Sequence, residues 1–206
     1  MSSGAVYVVP GLQDAVKHGE VPSVEAIELQ TPSFKWPNEV AVVPQDVFGS
    51  RAIVVPDGFL VPMKNNGGIY VIKIDGVDVT KTTGTVELTK EKNGYFYHTG
   101  FWVDLNGDGR KDFITARSNA KEGGGELIWL EHPEGGLDTA PWTEHFISSG
   151  PDVSIEIDTF AEFPGEIVVF AAEFFNKKLS FYRVSTTDGS LVASRVIDDQ
   201  TILDCY

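Results

Sequence analysis

The sequence predicts an all-β protein made of repeated four-stranded sheets, and three observations predict it. Its apolar runs are short and rich in β-branched and aromatic residues, at 40–43, 52–55, 69–74, 112–115, 127–130, 167–170 and 179–184. Gly, Pro, Asn and Asp separate these runs, which is the punctuation of strands and turns. The runs also recur in one order. Three units each carry an opening strand (39–43, 100–103, 154–158), a second strand (51–55, 111–115, 166–170), a third with an aromatic (68–71, 126–129, 178–181) and a closing strand (85–88, 143–147, 192–197). The third strands repeat at 58 residues from Ile69 to Leu127 and 52 from Leu127 to Leu179. Four antiparallel strands about every 50 residues are the signature of a β-propeller blade.

Each element has a local reason. Three runs stop at a proline, Val9-Pro10, Val43-Pro44 and Val55-Pro56; proline lacks the N–H that a ladder needs, so it ends or edges a strand. Residues 12–18 place Leu12 and Val16 four apart, enough for about two helical turns, and are read as a decorated loop. Residues 5–9 and 24–29 read as the third and fourth strands of a blade whose first half is missing, and Ile202–Tyr206 as the start of another. The expectation is a single propeller-type domain, or a portion of one, over residues 1–206. It holds about three complete blades (approximately 36–90, 95–147 and 150–199) plus partial blades, as part of a seven-bladed propeller. A β-sandwich with accidental periodicity is the competing reading.

Composition sets the outer bounds. With 16 Lys+Arg against 30 Asp+Glu, the formal net charge is -14, and such a surface disfavours nucleic-acid phosphates and anionic membranes alike. It favours cation binding. No apolar run approaches the roughly 18 residues of a membrane span. The first ten residues lack the basic flank and length of a signal peptide, so the chain either starts in the cytosol or had a leader removed. A single cysteine, Cys205, excludes a disulfide framework and a multi-cysteine zinc site; its role is open.

The sharpest motif is Asp104-Leu105-Asn106-Gly107-Asp108-Gly109-Arg110-Lys111-Asp112. Hard cations such as Ca²⁺ take six to eight oxygen ligands. Oxygen donors at alternate positions of a tight loop turn inward together: Asp104, Asn106, Asp108, the backbone carbonyl of Arg110, and Asp112. Gly107 and Gly109 allow the positive φ that the winding needs. An EF-hand would require a bidentate Glu at position 12 and flanking helices, but that position is Thr115 and both flanks are strand-like. The other two units have connections at 44–50 and 159–165 that are too poor in oxygen donors to hold a metal.

With Phe101-Trp102-Val103 before it and Phe113-Ile114 after it, this loop resembles the core of an FG-GAP (VCBS-type) propeller repeat. The resemblance is strong over about residues 95–147 and rests elsewhere on strand order and spacing. It implies that the loop joins the first two strands of a blade and binds Ca²⁺. It also implies a usually extracellular setting and roles in adhesion, glycan binding or scaffolding.

Other constellations are weaker. Histidines at 18, 98, 132 and 145 form no zinc motif, and no nucleophile elbow or phosphate loop follows a strand. Gly123-Gly124-Gly125 reads as a turn. His98 precedes the calcium unit in Tyr95-Phe96-Tyr97-His98, where a loop into a blade lines the central face. Trp36, in the proline-flanked segment 32–38, and Trp102 are candidates for stacking on a sugar or another planar ligand, against a default role in packing blades. The sequence therefore points to a calcium-stabilised, non-catalytic binding module, secreted or on a cell surface. A second copy or a different polypeptide would complete the propeller by contacting residues 1–30 and 200–206. The alternatives are an enzyme with a central-face active site, marked by a buried perturbed acid, and a carrier of a small apolar ligand.

Overall fold

A computed structural model of the chain describes residues 4–19, 24–59, 64–90, 94–119 and 124–199. The all-β expectation holds, and strands are arranged in three four-stranded antiparallel sheets in simple chain order. Blade A comprises β3 (Ala41–Val42), β4 (Ala52–Pro56), β5 (Ile69–Ile74) and β6 (Thr82–Glu87). Blade B comprises β7 (Tyr95–Val103), β8 (Asp112–Asn119), β9 (Gly125–Glu131) and β10 (Thr143–Ser149). Blade C comprises β11 (Ser154–Asp158), β12 (Glu166–Glu173), β13 (Lys178–Ser185) and β14 (Leu191–Asp198). A further pair, β1 (Tyr7–Val8) with β2 (Ile27–Glu28), lies before blade A. The expected strand at Ile202–Tyr206, with Cys205, and Gly123 of the triple glycine lie outside the described residues.

Alternation along each strand decides which neighbour each blade meets, since successive side chains point to opposite faces. On β8, Phe113 joins Val54, Val71 and Leu88 in the core between blades A and B. Ile114 and Ala116 join Ile155, Val169 and Val184 in the core between blades B and C. On β4 and β5, Val55, Ile72 and Ile74 turn the other way and pack on Val6, Leu29 and Phe34. The β1–β2 fragment thus covers blade A from the side opposite blade B. β8, sheathed on both faces, is buried at every one of its positions. The polar residues of the strand, Asp112, Thr115, Arg117 and Ser118, are enclosed along with Phe113, Ile114 and Ala116, so each is met by internal hydrogen-bond partners.

Three elements differ from the sequence expectation. Residues 12–18 form a helix, α1 (Leu12–His18), closed by Gly19 in the left-handed region. A short helix, α2 (Gln45–Phe48), fills the connection of blade A that corresponds to the Asp/Asn loop of blade B. The strand expected from Gly100 instead begins at Tyr95, because a bulge between Tyr97 and Gly100 carries the ladder past the irregularity. His98 therefore sits in a strand bulge and not in a loop leading into the blade. No helix among the described residues is long and apolar enough to cross a membrane.

Candidate functional site

The segment from Asp104 to Asp112 connects β7 to β8, two strands paired at Val103↔Asp112. Gly107 and Gly109 adopt φ of 72° and 84°, as the tight winding requires. The carboxylate of Asp104 accepts from the backbone N–H of Gly107 and of Gly109, both at 2.8 Å. Asn106 Oδ1 accepts from the Asp108 N–H at 3.1 Å, and Asp108 Oδ1 from the Arg110 N–H at 2.8 Å. The Arg110 guanidinium closes on Asp108 and donates through Nε to the His132 carbonyl at 3.2 Å.

Asp112 stands apart from the exposed part of the loop. It is fully buried, and its two oxygens accept from the N–H groups of Leu105 and His132, each at 2.8 Å. Burial pushes its carboxyl up to about 6; the two N–H donors oppose that shift, and the charges of Asp108 and Asp104 add to it. The three carboxylates therefore feel one another. Asn106 Nδ2 links the loop to Glu131 of β9 at 3.3 Å, and Glu131 contacts His145 Nε2 at 2.8 Å. Stacked pairs back this corner: Trp129 on His145 with centroids 4.1 Å apart, and His132 on Trp142 at 4.7 Å.

The donor set fits a hard cation in kind. Asp104, Asn106, Asp108 and Asp112 are oxygen ligands on one loop, and a carboxylate that accepts two hydrogen bonds keeps further lone pairs. Asp104, Asn106, Asp108, the Arg110 carbonyl and Asp112 are the groups that would have to face such an ion. Against this, among the described residues no group of three or more His, Cys, Asp or Glu side chains is gathered as a metal-binding cluster. The loop's own N–H groups and Arg110 take up the charge instead.

Of the three aromatic and histidine candidates, Trp102 lies beside this loop, at the end of β7 just before Asp104, while Trp36 lies ahead of blade A and His98 lies mid-strand in β7. Trp36 is 47% exposed and stacks on Phe59 at 5.3 Å, with Lys64 Nζ 5.9 Å from its ring. Its segment is held by Asp57, whose carboxylate accepts from the Lys35 and Trp36 N–H groups. His98 is half-buried within β7. Trp102 packs between Phe113 and Trp142, at 4.8 and 6.0 Å, and its Nε1 is buried with no hydrogen-bond partner.

Sequence reasoning missed a second group of buried polar residues between blades B and C. Asp152 is 1% exposed and accepts from the Phe174 and Phe175 N–H groups, both at 2.8 Å. Burial pushes its carboxyl up to about 6, and nearby Glu173 contributes. Glu173, also buried, accepts from the Tyr182 hydroxyl at 2.6 Å and from Asn176 Nδ2 at 2.9 Å. The sequence signal was slight: Asp152 and Asp57 both follow a proline and both tie down neighbouring backbone.

No protein-family model matches the chain, and no curated protein matches it. A solved structure described as the Dos1 propeller is similar to 86% of this chain and 42% of its own length, with 11% sequence identity and a TM-score of 0.58. The chain thus spans less than half of that propeller. Likeness at this identity establishes fold alone: the protein is built from β-propeller blades.

Proposed function

We propose that this chain is a non-catalytic binding module, a calcium-stabilised set of β-propeller blades of the FG-GAP type that acts in an extracellular setting. The observation that carries the reading is the β7–β8 connection. It sets Asp104, Asn106 and Asp108 around one tight turn, with the buried Asp112 carboxylate behind them. Asp104, Asn106, Asp108, the Arg110 carbonyl and Asp112 would hold the ion. Bound Ca²⁺ would supply charge neutralisation for three crowded carboxylates and tie the ends of two strands together. The role is structural: the loop carboxylates are used on backbone N–H groups, as is the buried acid Asp152.

The same reading includes a partner. Ile167, Val169 and Ala171 of β12 face blade B, so Val168 and Phe170 face away. Among the described residues no further sheet covers that outer face. A second polypeptide, another copy or a separate chain, would pack on it and on the β1–β2 side to complete the propeller.

Calorimetric titration with Ca²⁺ tests the metal. Saturable binding that Asp108→Ala abolishes is expected, with Mg²⁺ binding more weakly. Absence of heat in protein stripped of metal would overturn the reading.

A further inference from the structure

Blade A is covered differently from its neighbours on the side away from blade B. One cross-strand row on that face runs Val42, Ile53, Ile72 through β3, β4 and β5. Ile72 is fully buried, Ile53 is partly buried, and Val42 is 78% exposed. Val40, two residues earlier and on the same face, is 52% exposed. The matching row of blade B, Trp102, Phe113 and Leu130, lies in one core with Ala41, Val43 and Val47 of blade A. That of blade C, Ile157, Val169 and Tyr182, packs on blade B. The first-strand position that two blades cover is thus open in the third.

The cause is the fragment that lies on blade A. Val6 and Leu29 of the β1–β2 pair reach Val55, Ile72 and Ile74. Just past β2, the Gln30 carbonyl accepts from the Thr82 hydroxyl of β6 at 2.8 Å, so β2 takes the outer side and β1 the inner. Among the described residues β1 pairs with β2 alone. The Leu29 N–H donates to the Val6 carbonyl at 2.9 Å. Backbone groups alternate sides along an antiparallel strand, so those of Ala5 and Tyr7 point to the free edge, towards β3. A cavity of about 550 Å³ opens beside Val42, rimmed by Gln45, Ser50, Arg51 and Gly76. It gives an incoming strand room for a bulky side chain.

We propose that the free edge of β1 and the uncovered face of β3 form a strand-addition site for two antiparallel strands of the partner polypeptide. One strand pairs with β1 through main-chain N–H and C=O groups, and apolar residues at alternate positions of both seal Val40, Val42 and Ile53. Two strands fit because the seam is already half built. β1 and β2 fill the two outer places of a four-stranded blade, and the added pair fills the two inner ones. The proposal rests on the partner reading above and narrows it to one kind of contact.

A fluorescein-labelled synthetic peptide copying residues 39–56, the first two strands of blade A, is the probe. Fluorescence anisotropy with the whole chain should show saturable binding by roughly 100 μM, and a scrambled peptide of equal composition should not bind. Val42→Asp should weaken binding at least about tenfold, since it sets a charge in the sealed seam. Its melting temperature should not change, because Val42 is so exposed in the chain alone. Phe170→Glu, on the far face of blade C, should leave binding intact. Bound peptide should slow amide exchange at Ala5 and Tyr7. Absence of saturable binding, equal binding of the scrambled peptide, full affinity in Val42→Asp, or unchanged exchange at Tyr7 would each overturn the proposal. Binding of the expected pattern supports the site even if the chain sediments only as a monomer. A heavier species that Val42→Asp leaves intact, in protein that binds no peptide, overturns the site and keeps the partner.

Discussion

Arg117, 2% exposed, holds Glu144 through two guanidinium nitrogens at 2.5 and 2.8 Å and reaches Glu126 with Nε and Nη2. The same guanidinium lies 4.8 Å from the Tyr95 ring, on the face of blade B that meets blade A. A single buried cation thus serves β7, β9 and β10 from β8.

Removing that cation leaves two carboxylates, each about a third exposed, without their partner. Arg117→Met should cost on the order of 3 kcal/mol. The triple variant with Glu126→Gln and Glu144→Gln should recover much of the loss. Urea unfolding of the three proteins measures both; a loss below about 1 kcal/mol would mean that the network is already satisfied by water.

Calcium should raise the stability of the whole chain by mass action, by roughly 2.7 kcal/mol at 100 times its dissociation constant. Excess chelator should lower the melting temperature, and Asp108→Ala should be insensitive to both treatments. Trp129 and Trp142, stacked on the two histidines beside the loop, offer a fluorescence readout. Superposable melts with Ca²⁺ and with chelator would argue that the loop is held by its own N–H groups alone.

The strands were legible because β-branched runs bounded by Pro, Gly and Asx leave the backbone few alternatives. Val40–Val43 nevertheless shrank to a two-residue ladder, as Pro44 ends the pairing and α2 follows at once. The start of β7 was hidden because a bulge breaks the alternation on which strand reading depends. The Asp/Asn loop was legible since its chemistry is contiguous. Glu173 and Tyr182 were not, because nothing local marks an ordinary hairpin as the place where a carboxylate is buried against the preceding blade.

Asp152 gives a pH signature. Its ordinary carboxyl value is 3.8 and burial raises it to about 6 in the fold. Between those values the folded chain holds a proton that the unfolded chain has lost. The stability from this group is therefore complete below about pH 4 and lost as pH rises through about 6. Asp152→Asn cannot titrate, so the stability advantage of the wild type over it should be largest near pH 4. It should shrink by roughly 2–3 kcal/mol on going to pH 7. Chemical unfolding at a series of pH values tests this, and an advantage that grows with pH would mean that the two N–H donors outweigh desolvation.

The proposed partner carries a mass prediction. Sedimentation velocity should give a species heavier than 22.5 kDa, either alone or on adding the second polypeptide. The interface should exceed roughly 2,000 Å². Phe170→Glu on the outer face should dissociate it. A monomer that stays soluble and well folded at every concentration would remove the partner from the reading.

Because side chains alternate along each strand, blade B has no core of its own: half of each strand is finished by one neighbour and half by the other. Stability in such an array is a sum of nearest-neighbour terms, as along a stack of coins. The middle member gains two such terms and an end member one. Fraying should start at the outermost blade and stop at β8, whose amides should be the last in the chain to exchange with solvent. A cation held at β7–β8 would then reinforce the part of the molecule that needs it least, and its benefit to the flanks would have to travel through the two seams.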